Sequence, residues 1–303
     1  MGINYLDLIN VVDNVPQDFV FNDLYKFLLP DDPRPHGFIL PEIVKQIPWT
    51  PEFLISGESK TVQLSCPPAT ESCNAAIQSL VDLLIDRKIF SNIHNDRHSE
   101  MNKILGARFD VQIERFPKSL FGIASRGAHL TGYTMTSSGE MKFWIPRRSP
   151  HLFTYPNKLD TTVAGGVKAS QSPFSCVVDE SDEEASLDRA YVTEHAKSVG
   201  VLTYVTVSER RGGLYQSDVL YVYDLEMPPD MVPKPNDDEV AEFVLMGIEE
   251  VKMAMQGGEF KDNCNLVMID FFIRHGILTP ENERDYVEIC QRLHRRLPVP
   301  IAG

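Results

Sequence analysis

The sequence predicts an α/β (α+β) fold in two parts, a mainly helical or mixed domain over residues 1–104 and a strand-rich domain over 105–303. Three observations carry this reading. The apolar period changes from helical to alternating near Gly106, a turn-rich break splits two alternating stretches at 136–140, and two stretches with helix-end signals close the chain. A chain of 303 residues can bury a full core and suits two domains better than one.

Taken in order, Tyr5, Leu6, Leu8, Ile9 and Val12 crowd one side of a short helix. The polar, proline-rich run from Pro30 to Pro35 then breaks the chain. From Ser72, expected as an N-cap, Ile77, Leu80, Val81, Leu84 and Ile85 form the stripe of an amphipathic helix. Past Gly106, Phe109, Val111 and Ile113 alternate with polar residues, as in a half-buried strand. His129–Met135 and Met141–Ile145 flank the TSSGE turn of a hairpin. Further strands are expected at Val201–Val207, Val219–Leu225 and Glu239–Met246. One helix is expected over Asn263–His275, stopped by Gly276. Another is expected to open at Thr279 and Pro280 and to bury Tyr286, Ile289, Leu293 and Leu297.

Charge narrows the function. With 29 Lys+Arg against 43 Asp+Glu, the net charge of −14 disfavours nucleic acid and anionic membrane as partners. No window approaches the roughly 18 apolar residues of a membrane span. The first residues lack the basic and apolar regions of a secretory signal. Five scattered cysteines without a C-x-x-C pair suit reduced thiols. The expectation is a cytoplasmic protein with a small-molecule substrate, its oligomeric state left open.

The stretch from Thr161 to Leu187 carries the chemistry. Ser172 is a natural N-cap and Pro173 a natural first helical residue. At about 100° per residue, Phe174, Val177, Val178, Ser181 and Ala185 share a core-facing side. Glu180, Glu183 and Glu184 stand together on another side. Such like charges repel, and a hard divalent cation, Mg²⁺ or Mn²⁺, reverses the sign of the interaction. The plain alternative is a solvated acidic face in an acidic protein. The Gly165–Gly166 pair allows a tight loop that brings a carbonyl near the same place.

Together, loop and helix resemble the Nudix box, Gly-x5-Glu-x7-Arg-Glu-U-x-Glu-Glu-x-Gly-U with U apolar. The flanking stretches Phe143–Ser149, Tyr221–Glu226, Val232–Val240, Glu259–Cys264, Ile269–Gly276 and Arg292–Leu297 are similar to one eukaryotic subgroup. That subgroup is related to the Nudix domain fused to thiamine pyrophosphokinase in fungi, and the similarity is dense over residues 105–298. The resemblance implies an α/β/α sandwich around a mixed sheet. It also implies metal-dependent hydrolysis of a diphosphate linkage, with thiamine diphosphate and its oxidised analogues as the substrate class. Carried over, Glu180, Glu183 and Glu184 match the metal-binding glutamates, with Glu180 and Glu183 in catalytic roles, and Gly166 matches the opening glycine whose carbonyl joins them.

The sequence departs from the pattern as well. Gln171 replaces the box's first glutamate, and Asp179 replaces the arginine that orients Glu180, so repulsion is expected there. Ser181 and Ser186 stand for an apolar residue and a glycine, and Leu152, Asn157 and Thr161 for lysine, glycine and asparagine. Gln171, Arg147 and Arg148 are candidate substrate contacts. Glu239 and Glu242 are candidates for a distant carboxylate; period-2 geometry allows only one of them unless a bulge intervenes, and Glu242 is favoured. His94 and His98 have helical metal-pair spacing but no third ligand nearby. His275 reads as a helix cap, and Cys176 as a packed, inert thiol. Three functions compete: a diphosphate hydrolase, a Nudix fold repurposed for cyclisation, isomerisation or binding, and an interaction protein working through its N-terminal segment.

Overall fold

The computed structural model describes residues 4–91, 93, 97–208 and 212–302. His94 lies outside them, while His98 bonds Glu114 at 2.7 Å. Helix α1 (Tyr5–Val12) is capped by Asn4, and is followed by β1 (Tyr25–Leu28), β2 (Gly37–Ile39), α2 (Pro41–Gln46), β3 (Phe53–Ser56), β4 (Thr61–Leu64) and α3 (Thr70–Arg87). The strands make a sheet in the order β2-β1-β4-β3, covered by α3 through Ile77, Leu80, Val81 and Leu84. The first hundred residues are therefore mixed rather than mainly helical. Strands of three or four residues are too short to show alternation. Helix α3 starts two residues before the expected cap: Ala69 holds the N-cap position without a side-chain bond, and Ser72 lies in the first turn. The Pro67–Pro68 pair keeps the chain extended only up to that point.

Next, β5 (Met101–Lys103) and β6 (Gln112–Glu114) form a two-stranded ladder, so the strand expected from Phe109 is shorter than its alternation suggests. A one-turn helix, α4 (Arg115–Lys118), leads to Gly122, whose φ is +62°. There β2 and the turn meet backbone to backbone. A Cβ on Gly37 would overlap the Phe121 carbonyl, and one on Gly122 would overlap Phe38.

The larger sheet uses β7 (Ser125–Met135), β8 (Met141–Arg148), β9 (Val163–Gly166), β10 (Lys197–Ser208), β11 (Leu214–Glu226) and β12 (Val240–Gly247). Its order is β10-β11-β7-β8-β12, with β9 also paired to β7; β11 runs parallel to β7 and the other pairs are antiparallel. The helices of this half are α5 (Pro173–Ala185), α6 (Arg189–His195), α7 (Ile248–Gln256), α8 (Asp262–Arg274) and α9 (Tyr286–Arg292). Strand alternation divides the residues between two cores. Phe143, Ile145, Leu220 and Val222 pack with Val267, Phe271 and Phe272 of α8. Ala128, Leu130, Trp144 and Tyr223 pack with Cys176 and Val177 of α5. The result is the expected helix–sheet–helix sandwich around a mixed sheet. Helix α9 begins at Tyr286, not at Thr279–Pro280, because Asn282 accepts from the Thr279 amide at 2.9 Å and donates to the Ile277 carbonyl at 3.0 Å, closing a turn instead. No helix among the described residues is long and apolar enough to cross a membrane.

Helix α1 is first in sequence but packs with α8 and α9, through Tyr5, Ile9 and Val12. Asp13, at its C-cap, fixes it there. The carboxylate accepts from Arg292 at 3.0 Å, from Arg295 at 2.8 Å and from the Val205 amide at 3.1 Å, with its side chain fully buried. Replacing one member of such a network leaves the buried guanidiniums uncompensated. Asp13→Ala is therefore expected to lower unfolding stability by about 3–5 kcal/mol in urea titration; a loss below about 1 kcal/mol would show that the network does not hold α1.

Candidate active site

Strand β9 runs antiparallel to β7, with Leu130 opposite Val163 and Gly127 opposite Gly166. The loop beyond it is tied down on two sides. Arg126 donates to the Val167 and Lys168 carbonyls at 3.3 and 3.0 Å, and the Ala169 amide donates to Met101 at 2.7 Å. Helix α5 then starts at Ser172, as the sequence indicates. The Ser172 hydroxyl accepts from the Ser175 amide and the Ser175 hydroxyl from the Ser172 amide, each at 3.0 Å, with Pro173 in the first turn. The helix ends at Ser186, which adopts a left-handed φ of +53°, a conformation that favours glycine.

On α5, Cys176, Val177, Val178, Ser181 and Ala185 are buried, and burial pushes the Cys176 thiol up to about 12, so it stays protonated. The glutamates divide by environment. Glu184 is only 6% exposed and accepts from the Ala164 amide at 3.2 Å. Burial, then the charges of Glu180 and Asp160, raise its pKa well above the usual range. Glu180 packs against Gly165, where a Cβ would overlap its carboxyl group. Burial, Glu183 and Glu239 push Glu180 up to about 7, against an opposing pull from Lys168. Glu183 is exposed, and Gly166 faces open space.

The other expected residues have definite places. Gln171 does not point at the carboxyl cluster; its amide donates to Asp179 at 2.8 Å. Asp179 in turn pairs with Arg189 of α6 at 2.5 Å, which lowers its pKa. Where repulsion of Glu180 was expected, Asp179 is drawn into an ion pair with a neighbouring helix. Arg147 meets Glu242 at 3.3 Å and Glu259 at 3.8 Å. Arg148, 11% exposed along its side chain, is committed to Asp160 at 3.2 Å and to the Thr154 carbonyl. A bulge at Ala241 shifts the register of β12 against β8. Glu239 is the residue whose charge reaches Glu180 and Glu184, whereas Glu242 lies with Arg147. His275 caps α8, stacks on Phe271 and reaches Asp224 at 2.8 Å. Sequence reasoning missed Arg189, Arg126 and Lys168; the only available signal was the basic residue just after the Asp188 helix cap.

Beneath the cluster lies a buried polar group of His129, Asp160 and Cys264 with metal-ligand spacing. Asp160 already receives Lys261 and Arg148 at 3.2 Å, the Cys264 thiol at 2.7 Å and the Thr161 amide at 2.9 Å. Burial would raise Asp160, but Lys261, His129 and Arg148 hold it down at about 2. Burial and Lys261 push His129 down to about 4, leaving it neutral. Two cations on one carboxylate make this an internal ion-pair hub with no charge left for a metal.

A carboxyl whose folded pKa lies above its unfolded value of 4.5 holds a proton that the unfolded chain has released. Stability is therefore lost as pH rises from there through the folded pKa. With a chelator present, Glu184→Gln is expected to melt about 3–6 °C above the parent at pH 8, the gap closing near pH 5. Equal melting at both values would contradict the charge assigned to Glu184.

The NUDIX domain family matches residues 132–264. The uncharacterized protein YJR142W of Saccharomyces cerevisiae is 32% identical over 317 residues, covering 99% of this chain and 93% of that one. Nudix hydrolase 20, chloroplastic, of Arabidopsis thaliana is 35% identical over 227 residues, and this chain spans only 59% of its length. The crystal structure of DR0079 from Deinococcus radiodurans superposes with a TM-score of 0.40 at 23% identity, covering 56% of this chain and 96% of that chain. The chain thus carries a Nudix domain over residues 132–264 and belongs to one family with the near full-length yeast relative.

Proposed function

We propose that this protein is a divalent-cation-dependent hydrolase of a diphosphate linkage in a small molecule of the thiamine diphosphate kind. The observation that carries the reading is the pair of raised carboxyls, Glu180 packed against Gly165 and Glu184 on the Ala164 amide, both raised further by the charge of Glu239 and neither in a salt bridge among the described residues. Hard carboxylate oxygens suit Mg²⁺ or Mn²⁺. Glu180, Glu183, Glu184 and the Gly166 carbonyl are the groups that would hold the ion, which when bound neutralises diphosphate oxygens. The thiamine-like substrate rests on the sequence resemblance alone.

The chain's own residues supply the rest. Glu180, with a carboxyl near neutrality, suits accepting the proton of an attacking water. Arg147, exposed along about a third of its side chain and held by Glu242, Glu259 and the Asn157 carbonyl, is the more accessible of the two to substrate phosphate; Arg148 anchors its loop through Asp160. Gln171 acts indirectly, by holding Asp179 toward Arg189. The Asp179–Arg189 pair favours the hydrolase over a repurposed pocket, because it gives the Asp179 charge a basic partner of its own. At −14 the chain needs a cation between itself and a polyanionic substrate, and nucleic acid and anionic membranes are poor partners for it. Free thiols suit the cytoplasm, although the two plant relatives are named chloroplastic.

The test is release of monophosphate from thiamine diphosphate and its oxidised analogues with Mg²⁺ or Mn²⁺. Exposed Glu183→Gln is expected to cost a factor of roughly 10²–10⁴ in kcat without altering the fold. Turnover equal in the parent and the variant, or none in either, would overturn the proposal.

A further inference from the structure

Cys66 lies two residues past the end of β4 and Cys73 in the first turn of α3, and the two sulfurs stand 3.4 Å apart. Both elements belong to one core cluster, and Pro67–Pro68 stiffen the link between them. The surroundings of the two thiols differ. Cys66 is half-buried and reachable from solvent, while Cys73 has no exposed surface. Cys176 and Cys264 are buried in the two cores flanking the larger sheet, away from this pair. We propose that Cys66 and Cys73 are a redox-active dithiol that closes to an intramolecular disulfide by exchange with a small-molecule disulfide.

The sulfurs need to close by only about 1.3 Å to reach a bond of about 2.05 Å. In the first step the Cys66 sulfur gives its proton to solvent and attacks the small disulfide, breaking its S–S bond and expelling one thiolate. In the second the Cys73 sulfur loses its proton to solvent, attacks the Cys66 sulfur of the mixed disulfide and expels the second thiolate. Both leaving thiolates take up protons. Two protein thiols are thereby oxidised, and one disulfide is reduced to two thiols. Burial and the neighbouring Cys66 push the Cys73 thiol up to about 12. The second step requires the Cys73 thiolate and accelerates with pH. The product ties the end of β4 to the start of α3, in the N-terminal core, so the proposal stands apart from the hydrolase reading.

The experiment exposes the folded full-length chain to oxidised glutathione, quenches with an alkylating agent and maps the peptides by mass. In the parent, the peptide carrying both cysteines is expected to be lighter by two hydrogens, free of glutathione and restored by dithiothreitol. Cys73→Ala should retain glutathione on Cys66. Cys66→Ala, at the half-buried position, should leave Cys73 reduced; melting curves confirm that each variant is folded. A lasting glutathione adduct on Cys66 of the parent, or both parent thiols still alkylatable after denaturation, would overturn the proposal.

Discussion

Glu184 sits 6% exposed against the amide of Ala164, and burial, Glu180 and Asp160 all oppose its charge. The surrounding architecture serves to hold it there. The capping box of Ser172 and Ser175 sets where α5 begins, and therefore which turn Glu184 occupies. Gly165 leaves the room that the Glu180 side chain fills, so the second carboxyl is pressed toward the first. Burying like charges is unfavourable unless a proton or a cation joins them. In the proposed function, a divalent cation takes that place.

The neighbouring charges are compensated by contrast. Asp160 draws Lys261 and Arg148 into a closed hub, and Asp179 draws Arg189 across from α6. Asp13 does the same for α1 at the other end of the sandwich. Acidic groups at these three places have basic partners within 3.2 Å. Glu180 and Glu184 differ from these three in having no salt bridge among the described residues, and their pKa values are raised.

Much of this was legible in the sequence, for identifiable reasons. Long alternating stretches fixed β7, β8, β10, β11 and β12, and a serine–proline start fixed α5. The four short strands β1–β4 gave no periodic signal. The partition of the glutamates was only half visible. Helical spacing groups Glu180, Glu183 and Glu184 on one side, but the depth of each depends on β9, which lies beside α5. Arg189 was invisible as a partner, because its side chain reaches Asp179 only after the left-handed turn at Ser186 folds α6 back. Period-2 counting could not separate Glu239 from Glu242, because the bulge at Ala241 shifts the phase between them; the charge of Glu239 reaches Glu180 and Glu184, while Glu242 lies with Arg147.

The central claim is that the raised carboxyls hold protons which a divalent cation displaces. Calorimetric titration with Mn²⁺ in two buffers of different ionisation enthalpy, at pH 6.5 and pH 9, tests it most directly. The account predicts that binding at pH 6.5 releases about one proton or more per ion. It also predicts that the release shrinks at pH 9 as Glu180 ionises. Binding with no proton release at pH 6.5, or no binding at either pH, would contradict it.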